Sequence, residues 1–277
     1  MNDNIPIWTD LRPANINWKK VKSLSITLRT KPCRFQESMD SCKFCELKRL
    51  ASPSVSADNI VNQVKNTIEP HRIKNEMPEH IDLFGLGTFF DNIEIPVTAR
   101  NEILDYLSKS GIETLRIEAR AQYITLDRLR DAKERLSPAN LEVAIGIETT
   151  NTEIRENWLN KKYSNELIDK SVSLLGKAKV GFLGYVLFKP PVFDDDKEKE
   201  AIDDAVQSSL DIFELGKKHN ATTRVGLNPF YLPDSNQYSK EELKNYTPPS
   251  LWSVLEVIKR THSSGTIFIG LNSEGLV

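Results

Sequence analysis

Short apolar runs alternate with amphipathic stretches along most of this chain, and that alternation restricts it to an α/β architecture. The strand-like runs are 24–28, 81–86, 114–117, 141–147, 180–188 and 223–227. They are rich in apolar and branched residues, as buried parallel strands tend to be. The helical stretches between them have readable ends. Ser56 precedes Ile60, Val61, Val64 and Ile68 at helical spacing, and Thr98 precedes Ile103, Leu104 and Leu107, with Gly111 as the C′ glycine. Thr125 is placed to cap Leu126, Leu129, Ala132 and Leu136, and Ser164 to cap Leu167, Ile168, Val172 and Leu175. The polar stretch 194–219 carries Ile202, Val206, Leu210 and Phe213 on one face. Residues 234–249 read as a surface excursion before a helix over 251–260. Six strands each followed by a helix make right-handed βα units, short of the eight that close a barrel. The expected fold is therefore α/β: a partial (βα)6 barrel forming a single domain over 1–277, with its core over about 22–230 and a C-terminal extension over about 231–277. Functional residues of such a fold collect at the C-terminal ends of its strands.

All three cysteines, Cys33, Cys42 and Cys45, fall in the loop after the first of these strands, spaced C-x8-C-x2-C. Three together and none elsewhere suggest a ligand set rather than scattered small hydrophobes. Three thiolates hold three irons of a [4Fe–4S] cluster and leave the fourth iron open. A zinc site would need a fourth ligand, and His71, His80, His219 and His262 each stand apart in the sequence. The odd count argues against a disulfide framework. Residues 1–18 lack the pattern of a secretory signal, and no apolar run approaches a membrane span, so the expected location is a reducing cytoplasm without membrane attachment. The net charge of −2 lacks the basic excess of a protein that grips nucleic acid. Trp8, Trp18, Trp158 and Trp252 read as packing residues.

Further motifs narrow the comparison. Residues 84–91 read FGLGTFFD, 118–121 EARA, 142–149 EVAIGIET and 185–191 YVLFKPP. Asn160-Lys161-Lys162, LNPF at 227–230 and YTPPSLWSVLEV at 246–257 complete the set. With the cysteine loop, and Phe44 before its last cysteine, this combination resembles the radical S-adenosylmethionine superfamily. Within it the order and spacing resemble the radical subunit of archaeosine synthase and, more distantly, the catalytic subunit of Elongator. The usual cysteine spacing there is C-x3-C-x2-C, so the eight-residue first gap is a departure.

The resemblance implies a [4Fe–4S] cluster on Cys33, Cys42 and Cys45, with S-adenosylmethionine as cofactor. It also implies a one-electron donor such as flavodoxin or ferredoxin, and hydrogen abstraction by a 5′-deoxyadenosyl radical. Around the cofactor, Phe44 is placed to stack on adenine, and Gly87 admits close backbone approach. Thr88 is placed to bond the methionine end, and Glu118 and Glu148 to bond ribose hydroxyls or the ammonium. Arg120 is expected to meet the methionine carboxylate or balance Glu118, and Asn228 to read the adenine edge. Phe89, Phe90, Asp91, Asn92, Tyr185, Lys189 and Tyr231 are the expected substrate residues, with Asp91 accepting from a guanine-type edge between flanking aromatics. The branch points to a 7-deazaguanine substrate, and the low net charge to a free base such as queuine. The expected enzyme is then of the queuine-lyase kind, releasing 7-aminomethyl-7-deazaguanine by C–N cleavage for queuosine salvage. The competing readings are a tRNA-modifying enzyme of the archaeosine or Elongator type, and a zinc- or cluster-containing binding protein. Cys42→Ala is expected to abolish both the brown chromophore of the reconstituted protein and 5′-deoxyadenosine formation; full iron content in that variant, measured colorimetrically, would exclude a cluster on this loop.

Overall fold

The computed structural model describes residues 2–16, 19–37, 41–45, 47–231 and 238–270. Eight strands form one sheet in sequence order: β1 Trp8–Ile16, β2 Lys19–Thr27, β3 His80–Phe84, β4 Thr114–Glu118, β5 Asn140–Glu148, β6 Gly181–Phe188, β7 Thr223–Pro229 and β8 Thr266–Ile269. β1 runs antiparallel to β2, and every later neighbour pair is parallel. The six expected strands are β2 to β7. β1 was not expected; it alternates half-buried with exposed residues and carries Pro13, which an edge strand tolerates. β8 pairs with β7, so the C-terminal extension continues the sheet.

The helices are α1 Arg34–Glu37, α2 Ala57–Ile73, α3 Val97–Leu107, α4 Leu126–Leu136, α5 Asn165–Ala178, α6 Glu198–Lys218 and α7 Leu251–Thr261. Ser56, Thr125, Ser164 and Ser250 cap α2, α4, α5 and α7 through their side-chain oxygens. Thr98 does not cap α3: that helix begins one residue earlier, behind Pro96, whose ring presets the entry dihedral. Gly111 does adopt φ +83, but three residues beyond the C-cap Ser108, in the turn before β4. No helix among the described residues is long and apolar enough to cross a membrane.

Among the described tryptophans, one departs from the packing expectation. Trp8 and Trp158 are half-buried, whereas Trp252 is 81% exposed on α7, and Trp18 lies outside the described residues. Of the expected surface excursion, 232–237 lie outside the described residues. The rest folds back onto the strand ends: Tyr238 is buried against Phe230, and the Tyr246 hydroxyl donates to the carbonyls of Lys189 and Phe230 at 3.0 and 3.3 Å.

Strand period two gives the sheet two unlike faces. The outer face packs Leu24, Ile26, Ile81, Leu83, Leu115, Ile117, Val143 and Ile145 into the main hydrophobic core with the helices. The concave face is polar at its base. Arg116 Nη1 lies 2.8 Å from Asp82 Oδ1, and Arg116 Nε lies 2.7 Å from Glu142 Oε2. Arg224 Nε donates to Glu142 Oε1 at 2.8 Å, and Ser23, Ser25 and His80 complete the shell of Asp82. Phe268 of β8 covers the Arg116 guanidinium at 5.8 Å.

Burial by itself would raise the pKa of Glu142, but Arg116 and Arg224 override it and hold the carboxyl down at about 2. Asp82 is likewise held well below its ordinary value, burial being outweighed by Arg116 and His80. A folded pKa below the unfolded one contributes stability that is complete above the unfolded value and lost as pH falls through the folded one. Stability to urea is therefore expected to decline from about pH 5 towards about pH 2. Arg116→Met, which takes from buried Asp82 its guanidinium partner and leaves Glu142 with Arg224 alone, is expected to cost about 3–5 kcal/mol at neutral pH. A flat urea midpoint across that acid range would contradict this account.

Candidate active site

Above this charged floor the concave face opens into a cavity of about 480 Å³. Cys33, Cys42 and Cys45 line it, and so do Phe44, Gly87, Glu118, Arg120, Glu148, Tyr185, Asn228 and Tyr231. These come from the loop after β2, the turn after β3, and the ends or upper parts of β4 to β7, as a (βα) fold requires. Ala144, Leu183 and Tyr185 form a small apolar patch, and Gly226 leaves room for the Tyr185 ring.

Cys33 and Cys42 are buried, Cys45 is half-buried, and none of the three is in a disulfide. Burial pushes the Cys45 thiol up to about 12, with Cys42 and Cys33 adding to the rise and a backbone bond from Leu47 opposing it. A buried thiol whose ionisation is opposed by burial and by two neighbouring cysteines is matched to a positively charged inorganic centre, since binding one removes that penalty. Among the described residues no three His, Cys, Asp or Glu side chains converge as ligands of a single ion. An iron–sulfur cluster makes no such demand, because each thiolate takes a different iron. The donor set fits that group.

The wall beside the cysteine loop is built on a strained residue. Glu148 ends β5 with φ +70, after a register shift between Gly146 and Glu148. Its carboxylate meets Lys161 Nζ at 2.6 Å. A Cβ on Gly146 would collide with both groups of that pair, which is the reason for glycine there. Burial by itself would lower the Lys161 pKa; the Glu148 carboxylate, with Cys42 and Tyr163, overrides it and holds the ammonium charged. Lys161 also sits over the rings of Phe44 and Tyr163, at 5.3 and 5.4 Å.

Lys161 and Tyr163 were not among the residues expected at the site. Asn160-Lys161-Lys162 stood out as a motif, but it follows a π-helical turn, Ile154–Trp158, rather than a strand. Buried Arg155 holds that loop against β5 by donating to the carbonyls of Thr149 and Tyr163, at 3.0 and 2.9 Å.

The turn after β3 departs from expectation. Phe89 and Phe90 belong to the hydrophobic core, edge to face at 5.7 Å, and do not line the cavity. Asp91 does not line it either: its Oδ1 accepts from Ile93 N–H at 2.8 Å and its Oδ2 pairs with Arg34 at 3.1 Å, so it closes the turn into α3. Asn92 is exposed and accepts from Arg100 at 3.2 Å. Thr88 is buried behind the wall, its N–H donating to Glu94 Oε2 at 2.5 Å and its hydroxyl accepting from Arg120 N–H at 3.1 Å. Lys189 is buried and paired with Glu198, away from the cavity. For the five residues of this turn the physical reason is common: the chain leaves β3 outward, towards α3, and carries the side chains after Gly87 away from the cavity.

Gly87 itself lines the cavity, and a Cβ there would collide with the Glu94 carboxylate. Glu94 was also not anticipated. Burial raises its carboxyl to about 7, although the N–H groups of Thr88 and Arg34 oppose the shift.

No protein-family model matches the chain. It is 34% identical over 251 residues to an uncharacterized protein of Methanocaldococcus jannaschii, covering 88% of this chain. The chain spans 65% of that relative's length. It is 28% identical over 256 residues to the archaeosine synthase subunit beta of Thermococcus kodakarensis, covering 91% of this chain and 75% of that one. Among solved structures, queuine lyase from Clostridium spiroforme, bound to S-adenosylmethionine and queuine, superposes with a TM-score of 0.58 at 17% identity. That match covers 91% of this chain and 93% of the other. The chain has the fold of the radical S-adenosylmethionine enzymes: the expected partial barrel, with one added strand on each edge.

The Lys161–Glu148 pair can be tested on the protein alone. Lys161→Met leaves a buried carboxylate without its partner, with an expected loss of about 3–5 kcal/mol in urea denaturation. Adding Glu148→Gln to that variant is expected to recover part of it. Strictly additive losses would show the two groups to be uncoupled.

Proposed function

We propose that this protein is a radical S-adenosylmethionine enzyme that cleaves a C–N bond on a 7-deazaguanine, with queuine as the favoured substrate. The observation that carries the reading is the convergence of Cys33, Cys42 and Cys45 on one strand-end cavity with Phe44, Glu118, Glu148 and Asn228. The cysteines would hold a [4Fe–4S] cluster. Phe44 and Asn228 would bind the adenine of S-adenosylmethionine, and Glu118 and Glu148 its ribose or ammonium. When bound, cluster and cofactor together supply hydrogen-abstraction chemistry once a flavodoxin- or ferredoxin-type donor provides an electron. The chain's own part is to orient and to exclude water. Tyr185 and Tyr231 offer flat faces on the cavity wall for a base.

The free-base reading draws on the superposition with queuine lyase and on the net charge of −2. The tRNA reading draws on the 28% identity to an archaeosine synthase subunit. Anaerobic incubation with reductant, S-adenosylmethionine and queuine, read by mass spectrometry, is expected to yield 7-aminomethyl-7-deazaguanine and 5′-deoxyadenosine. Glu148→Gln and Glu118→Gln are expected to weaken cofactor binding while iron content stays intact, and queuine binding is expected to vary little with salt. Turnover only on tRNA carrying a modified 7-deazaguanine, with binding that collapses in salt, would replace the free-base assignment.

A further inference from the structure

Arg120 is held more firmly than a ligand-binding arginine needs to be. It lies two residues past the end of β4, is 8% exposed, and its backbone N–H is tied to Thr88 Oγ1. Its guanidinium sits between two rings, 4.0 Å from the Phe35 centroid and 4.9 Å from that of Tyr163. One nitrogen donates to the Lys161 carbonyl at 2.9 Å, and another donates to Cys42 Sγ at 3.6 Å, a hydrogen-bond distance for sulfur. Phe35 belongs to the cysteine loop itself, between Cys33 and Cys42, so the ring and the sulfur contact together fix the arginine to that loop.

We propose that Arg120 sets the reduction potential of the cluster that the cysteine loop would carry, by donating a charge-assisted hydrogen bond to the Cys42 thiolate. This rests on the cluster reading above and replaces the expectation that Arg120 serves the methionine carboxylate. The potential of an iron–sulfur centre responds to net charge and to hydrogen bonds on its sulfurs. Reduction adds one negative charge to the centre and its ligands, so a cation bonded to a ligand sulfur stabilises the reduced form more than the oxidised one. Arg120 thus raises the potential and eases entry of the electron. Only the planar fork reaches Cys42 Sγ and the Lys161 carbonyl from one position between two rings; a lysine keeps the charge but loses that geometry.

The test compares wild type, Arg120→Gln and Arg120→Lys after anaerobic reconstitution with iron and sulfide, without S-adenosylmethionine. Iron is quantified, and the midpoint is read by electron paramagnetic resonance during dithionite titration. Expected are about four irons in each protein, a midpoint shifted to more negative potential in Arg120→Gln, and a smaller shift the same way in Arg120→Lys. If the glutamine variant fails to hold iron, the lysine variant carries the comparison. An unchanged midpoint in every variant that keeps its iron overturns the proposal. So does loss of iron from both variants, which would make Arg120 a structural brace. Wild type that takes up no iron would instead sink the cluster reading itself.

Discussion

The guanidinium of Arg116, shared between Asp82 and Glu142, decides what the rest of the concave face can be. Register places Asp82, Arg116 and Glu142 side by side on β3, β4 and β5, and Arg224 reaches Glu142 from β7. Four strands are thereby tied together by side chains as well as by backbone bonds. A buried ion pair of this kind adds little stability over a well-packed apolar core, because desolvation offsets most of the attraction. Its contribution here is to register. A slip of one residue in any of these strands would turn a charge into the outer hydrophobic core, which is far more costly than the same slip in an apolar row.

That register sets the height of the site. Two residues further along each strand is about 7 Å up the barrel. The step from Arg116 reaches Glu118, and the steps from Glu142 reach Ala144, Gly146 and finally Glu148. The cavity wall is thus the continuation of the charged row. A small residue at Gly146 leaves space for the Glu148–Lys161 pair, and φ +70 at Glu148 aims its carboxylate back into that space. The strain is held by Arg155, whose bonds to the Thr149 and Tyr163 carbonyls leave the following loop no other path.

Most of the scaffold could be read from the sequence, because outer-face residues of buried strands and inner-face residues of helices carry strong periodicity. β1 and β8 could not: one is polar and half-exposed, and the other is four residues long. At the site, the cysteines and the strand-end glutamates were legible because their position follows from the strand that precedes them. The turn after β3 was not. Adjacent aromatics in FGLGTFFD look like a stacking platform, but whether a turn side chain faces cavity or core depends on where the chain exits, and here α3 draws it into the core. Lys161 and Tyr163 were hidden for a related reason: they reach the cavity from a loop whose path is set by Arg155, not by a strand.

The C-terminal extension belongs to the site as much as to the sheet. Phe268 of β8 covers the floor arginine, while Tyr246 bonds the Lys189 and Phe230 carbonyls at the opposite end of the barrel. Lys189, in the left-handed region at φ +56, is fixed by Glu198, which also accepts from Ser253 on α7. The KPP turn that looked like a substrate contact is instead the hinge-pin joining β6, α6 and α7. By holding Phe230 in place it also orients Tyr231, stacked at 6.4 Å on the Phe230 ring and facing the cavity. A base bound there would meet an aromatic face whose position is set by residues that never touch it.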